Sequence, residues 1–294
     1  MSTGLALARR CYHAWRDTLF AGFEAWRPRA AAGLVGHGSE CFGFDDALSR
    51  DHDFGPGFCV WLGDADFAAI GPALQAAYDA LPARFEGFGP RIASPRAGQR
   101  VGVFSLSGFY SRFLGAPQLP ISDADWLQIP EPLLAAAVNG EVFEDPAGAF
   151  SAIRAQLAAY YPEGVRRRKL AQAAAKMAQS GQYNLPRALA RGEDAAALLA
   201  QADFLRHSCL LAHALERRYA PHDKWLHRST AGLASQPALH ARLAQLARTP
   251  PGAAPALVET ICAEALAALI AHGLTRPGDG FLETHVDAIL GHTA

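Results

Sequence analysis

The chain has 294 residues, half of them apolar and 19% charged, and its 27 basic and 28 acidic side chains leave a formal net charge of −1. Such a composition excludes a disordered chain, and the length exceeds what one compact core usually takes, so two modest domains are expected. The balanced charge excludes a broad electrostatic pull toward nucleic acid or anionic lipid, so neither a DNA partner nor a membrane is expected.

Residues 5 to 24 read as an amphipathic helix stopped ahead of Pro28, because proline disfavours helical geometry in the residue before it. AAGLVG (31 to 36) reads as a short buried strand ending in glycine. FCVWL (58 to 62), bounded by Gly57 and Gly63, has the form of a central strand. A helix follows from Asp64, with Asp64 or Asp66 as its cap and an apolar stripe of Phe67, Ile70, Leu74 and Tyr78, despite Pro72. GQRVGVFSL (98 to 106) predicts another strand, SGFYSRFLG a short helix and SDADWLQIPEPLLAAAV a further helical stretch.

Beyond Asp145-Pro146 no strand is predicted and long alanine- and leucine-rich helical periods take over. One stripe is Leu170, Ala173, Ala174 and Met177; another is Leu198, Ala202, Leu205, Cys209 and Ala212. Turns are expected at GQYNLPRA (181 to 188), YAPHDK (219 to 224), RTPPGAAP (248 to 255) and TRPGDG (275 to 280). The expected fold class is therefore α+β: a mixed sheet with helices over residues 1 to 145, then an all-α bundle over residues 146 to 294. Five cysteines (Cys11, Cys41, Cys59, Cys209, Cys262) are scattered without a C-x-x-C pair, which suits a reducing compartment rather than a disulfide framework. With no export pattern at the N-terminus, and with Glu259 and Glu264 interrupting the most apolar late stretch, a cytoplasmic location is expected.

The chemistry concentrates in GHGSECFGFDDALSRDHDFGPGFCVWL (36 to 62). If strand alternation holds, Asp51 and Asp53 point the same way and can share one or two magnesium ions, while His52 between them points the other way. Magnesium, or manganese in its place, favours oxygen ligands and keeps positions open for water and phosphate, so a two-carboxylate site suits phosphoryl or nucleotidyl transfer. A Gly38-Ser39 turn after a strand offers free N–H groups and a hydroxyl to a triphosphate. Asp45 and Asp46 read as surface or capping acids. A zinc site from His37, Cys41, His52 and Cys59 matches no common finger spacing. Asp53-Phe54-Gly55 spells the kinase magnesium motif without the other kinase motifs ahead of it, and Cys41 stands where a dinucleotide fingerprint needs its third glycine.

Gly38-Ser39, then eleven residues, then Asp51-His52-Asp53 ahead of an apolar strand resembles the Gly-Ser…Asp-x-Asp signature of the DNA polymerase β-like nucleotidyltransferase superfamily. With SGQYNLPRAL further on, the stretch is similar to a bacterial branch of that superfamily known only as a domain of unknown function. The two-part layout also resembles aminoglycoside nucleotidyltransferases. The resemblance implies that Gly38 and Ser39 grip the nucleotide phosphates and that Asp51 and Asp53 hold the metals. It also implies that Lys224, at a helix start in the second half, faces the triphosphate, although a surface lysine beside Trp225 is an equal reading. The implied activity moves a nucleoside monophosphate from a triphosphate to an acceptor hydroxyl, on a small molecule, a protein or an RNA end. A third carboxylate belongs on a later strand, and RVGVFSL has none. Glu141, Glu144 and Asp145 are the nearest substitutes, and without one the chain would be a nucleotide-binding regulator. Arg166-Arg167-Arg168-Lys169 reads as a solvated helix face, with phosphate or RNA binding as the alternative.

Overall fold

A computed structural model describes residues 3–50, 54–91, 98–234 and 236–291. The chain forms two compact units, one of residues 1–121 with 133–159 and one of residues 122–132 with 160–294. The fold class is α+β, with a small mixed sheet in the first unit and helices after it.

In the first unit α1 (Gly4–Leu19) starts at Thr3, whose side chain accepts from the Ala6 N–H. It stops five residues short of the predicted end because Gly22 adopts a left-handed conformation, φ 83°, that turns the chain away. Strands β1 (Ala31–Leu34) and β2 (Cys59–Leu62) pair antiparallel, with Ala31 opposite Trp61 and Ala32 opposite Val60. Next come α2 (Asp64–Asp79), β3 (Gly102–Ser105) and α3 (Leu106–Leu114). Strand β3 runs parallel to β2, so β2 is interior in the order β3-β2-β1-β4.

Both faces of this sheet are covered, which is why FCVWL is continuously apolar rather than alternating. On one face Ala32, Val60, Leu62 and Val103 pack with Cys11, Tyr12 and Leu19 of α1 and with Ile70 and Leu74 of α2. On the other, Trp61 stacks on Phe150 at 3.8 Å and meets Phe109 edge-on at 5.2 Å. Each such ring pair is worth about 1 kcal/mol beyond its buried area. The stripe on α2 lies where its spacing places it, but the residue before the helix is Gly63, with no side-chain cap. Asp64 instead accepts from the backbone N–H and hydroxyl of Ser107, and Asp66 pairs with Arg29.

Short helices α4 (Asp123–Gln128) and α5 (Glu131–Val138) follow, then β4 (Glu141–Glu144), which pairs antiparallel with β1, and α6 (Ala149–Ala158). The sequence analysis assigned no strand to GEVFED, whose acids occupy both outer positions. They are accommodated at a sheet edge, where Glu141 pairs with Arg9, while the Tyr12 hydroxyl donates to Glu144 at 2.6 Å.

The second unit contains α7 (Glu163–Met177), α8 (Leu185–Ala190), α9 (Asp194–Leu215), α10 (Asp223–Ser229), α11 (Leu239–Leu246), α12 (Pro255–Ala271) and α13 (Val286–Leu290). The turn expected from Gly181 is absent. Residues Ala178–Asn184 form a π-helical segment that runs straight from α7 into α8, and Pro186 sits in the first turn of α8, where a missing N–H is tolerated. Gly181 is required by packing: any Cβ there would overlap the Phe204 ring and lie 2.8 Å from Val258.

The buried face of α9 also differs from its predicted stripe. Leu198 and Leu199 are exposed, whereas Gln201, Phe204 and Ser208 are buried. Gln201 is drawn inward because its amide donates to the carbonyls of Leu246 and Thr249, satisfying the end of α11. Arg166 does the same for α9, donating to the carbonyls of Ala214 at 3.0 Å and Leu215 at 3.4 Å, and Arg167 donates to Ile289. The basic run is thus not a uniform solvated face. Among the described residues no helix is long and apolar enough to cross a membrane.

Candidate functional site

Strand β1 delivers the chain into a bend whose backbone only glycine adopts freely: Gly36 has φ 119° and Gly38 has φ 137°. Two further contacts hold that bend. The Gly36 N–H donates to Asn139 Oδ1 and the Asn139 amide donates back to the Gly36 carbonyl, both at 2.8 Å. Gly140 donates to the Cys41 carbonyl, while Arg154 of α6 donates to the carbonyls of Val138, Asn139 and Gly140. The turn between α5 and β4 is therefore a clamp for the Gly-Ser bend, a role that nothing in its sequence announced.

Ser39 is half-buried and leads into the one-turn 3-10 helix Glu40–Phe42, and its side chain makes no capping bond there. A half-exposed hydroxyl beside two positive-φ glycines is the arrangement a phosphate-holding bend needs. Glu40, which the sequence did not single out, packs against this bend. Its side chain is 4% exposed, its carboxylate lies where a Cβ on Gly38 would fall, 2.5 Å from Oε2, and Arg91, itself 8% exposed, donates to it at 3.0 Å. Arg91 also donates to the Gly55 carbonyl at 3.3 Å, tying the bend to the segment that leads into β2.

Asp51 and Asp53 lie outside the described residues. Arg50 and Phe54 beside them are described, with the Arg50 guanidinium 5.4 Å from the centre of the Phe54 ring. Regular strand begins only at Cys59, and between Phe54 and β2 stand Gly55 at φ 140° and Gly57 at φ 148°. The expectation that Asp51 and Asp53 share a direction therefore falls outside the described residues.

The substitutes for a third carboxylate are engaged elsewhere. Glu141 is paired with Arg9; Glu144 takes the Tyr12 hydroxyl, with Arg16 and Arg27 within 4 Å; Asp145 accepts the Ser151 N–H at the start of α6. Asp45 and Asp46 serve as local caps, accepting respectively from the N–H of Gly4 and from those of Leu48 and Ser49. The cysteines named for a zinc site are core residues. Cys41 and Cys59 are fully buried, and desolvation pushes the Cys59 thiol up to about 12 and the Cys41 thiol well above its ordinary value. His37 packs against the Phe113 ring at 5.3 Å. Among the described residues no three His, Cys, Asp or Glu side chains come together as a metal-binding group.

Lys224 lies in the second unit, exposed in the first turn of α10, with its ammonium 5.3 Å from the centre of the Trp225 ring. His207 and His213 of α9 go to different environments, as their spacing implies. His213 is 2% exposed, its Nδ1–H donates to the Cys209 carbonyl and its Nε2 meets the Ser229 hydroxyl at 2.8 Å. Burial lowers its pKa to about 4.

Residues 126–226 match a family model described as a domain of unknown function (DUF4037). Comparison with curated proteins finds no match. Among solved structures, the chain is similar to a nucleotidyltransferase-like protein from Exiguobacterium sibiricum 255-15, at 12% sequence identity and a TM-score of 0.32, over 92% of this chain and 81% of that one.

Proposed function

We propose that the chain is a magnesium- or manganese-dependent nucleotidyltransferase, moving a nucleoside monophosphate from a triphosphate to an acceptor hydroxyl with release of pyrophosphate. The observation that carries this reading is the clamped bend Gly36–Ser39 at the end of β1, followed in sequence by Asp51-His52-Asp53 and the interior strand β2. The backbone at Gly38 and the Ser39 hydroxyl would bind the phosphates. Asp51 and Asp53 would hold the metal, which when bound polarises the phosphoryl oxygens and orients the attacking hydroxyl. Arg91 keeps Glu40 neutralised beside the bend, so that an arriving polyphosphate does not meet an unpaired buried carboxylate. Lys224 is a further candidate for the triphosphate, on the resemblance alone. The acceptor class is a small molecule, a protein or an RNA end.

A second reading, a nucleotide-binding regulator without turnover, is favoured by one observation: β3 carries no acid, and Glu141, Glu144 and Asp145 are held by Arg9, Tyr12 and Ser151. One experiment separates the two. Each α-labelled triphosphate is incubated with the protein and magnesium or manganese, with and without cell extract. The enzyme reading expects label on an acceptor and a fall of about 100-fold or more in Asp51→Asn. Saturable binding without transfer gives the regulator, and no binding of any triphosphate overturns both.

A further inference from the structure

Within the second unit a cavity of about 90 Å³ is lined by Glu131, Lys169, Gln172, His207 and the apolar Ala173, Leu210 and Ala214. Its polar groups converge without satisfying one another. The Lys169 ammonium is 3.8 Å from Glu131 Oε2, too far for a hydrogen bond, although the side chains are only 23% and 13% exposed. Oε1 of Glu131 accepts the Ala220 N–H, which leaves Oε2 open. His207 places Nδ1 on the Asp203 carbonyl at 2.9 Å, so Nε2 is the ring atom left to the cavity. Neither the Lys169 ammonium nor the Gln172 amide has a hydrogen-bond partner among the described residues.

Glu131 and His207 are largely buried while Lys169, 5.5 Å from the centre of the Tyr161 ring, and the exposed Gln172 stand at the mouth, and an opposite-charge pair held just apart offers an acceptor side and a donor side to one guest. We infer that this cavity is a binding site for a small zwitterion, the ammonium-and-carboxylate head group of an α-amino acid. The ammonium faces Glu131 Oε2 and His207 Nε2, and the carboxylate faces Lys169 and Gln172. A volume of about 90 Å³ admits such a head group, while Ala173, Leu210 and Ala214 leave little room for a large side chain. The site is independent of the nucleotidyl-transfer reading and uses none of its residues. Burial raises the Glu131 pKa, so its carboxylate gains from a bound cation, and Lys169 is the charged group facing it.

The test is calorimetric titration of the full chain at pH 7.5 with glycine, alanine and serine, against acetate, methylamine and glycerol, with leucine as the bulky arm. The expected result is saturable binding of the small amino acids at least 10-fold tighter than of acetate or methylamine, with leucine weaker. Glu131→Gln and Lys169→Met are each expected to weaken it 10-fold or more with unchanged circular dichroism. Because Glu131→Gln could disturb the Ala220 contact, Gln172→Leu at the rim serves as the second variant, expected to weaken binding by several-fold. Absence of binding by the wild-type chain, equal binding of acetate or methylamine, or binding of glycerol alone would each overturn the inference.

Discussion

At the scale of single residues, the candidate site depends on one atom's worth of space. A methyl group at Gly38 would meet the Glu40 carboxylate at 2.5 Å on a backbone with φ 137°, so Gly38→Ala is strained twice. It is expected to cost about 1–3 kcal/mol in denaturant unfolding and to abolish triphosphate binding by the same assay that tests the wild type. Arg91→Met leaves Glu40 charged and buried, and a loss of about 3–5 kcal/mol is expected from the same unfolding curves. His213 gives a pH dependence whose sign follows from its environment. Its folded pKa of about 4 lies below the ordinary 6.5, so the unfolded chain takes up the proton first as pH falls. Stability from this group is complete above pH 6.5 and declines toward pH 4, by up to about 3 kcal/mol. Urea midpoints measured across that window should fall for the wild type and fall less for His213→Gln.

At the scale of elements, apolar periodicity was reliable where a segment is buried on one continuous face and failed where polar side chains were drawn inward. The strands at 31–34 and 59–62 and the stripe on α2 were legible because burial of Val60, Leu62, Ile70 and Leu74 needs nothing but apolar side chains at the right spacing. The face of α9 was not, because Gln201 is buried by the carbonyls ending α11, and those partners lie about 45 residues away in the chain. The strand Glu141–Glu144 escaped for a related reason: its acids are placed by Arg9 and Tyr12 of α1. At 181–188 glycine and proline spelled a turn, yet Gly181 is there to let Phe204 approach a π-helical segment. Gly181→Ala is therefore expected to destabilise by about 1–3 kcal/mol, the cost of overpacking, rather than to stabilise as a glycine-to-alanine change in an ordinary helix would. Thermal unfolding of the variant checks the direction.

At the scale of the whole molecule, all five cysteines are buried and free, so none is available to a bulky thiol reagent in the folded chain. Native protein is expected to react with none of its five thiols on the timescale of a colorimetric assay and with all five in denaturant; a stoichiometric fast phase would mean that a unit opens readily. By itself the sequence determined the α+β class and the interior position of FCVWL, because burial patterns act over a few neighbouring residues. Only the tertiary structure decided that Asn139 and Arg154 clamp that bend, that Glu40 and Arg91 form a buried pair beside it, and that Glu131, Lys169 and His207 face one cavity. Asn139 stands 103 residues from Gly36 and Arg91 stands 51 from Glu40, and the charge or hydrogen-bonding of one gives no local sign of where the other will be.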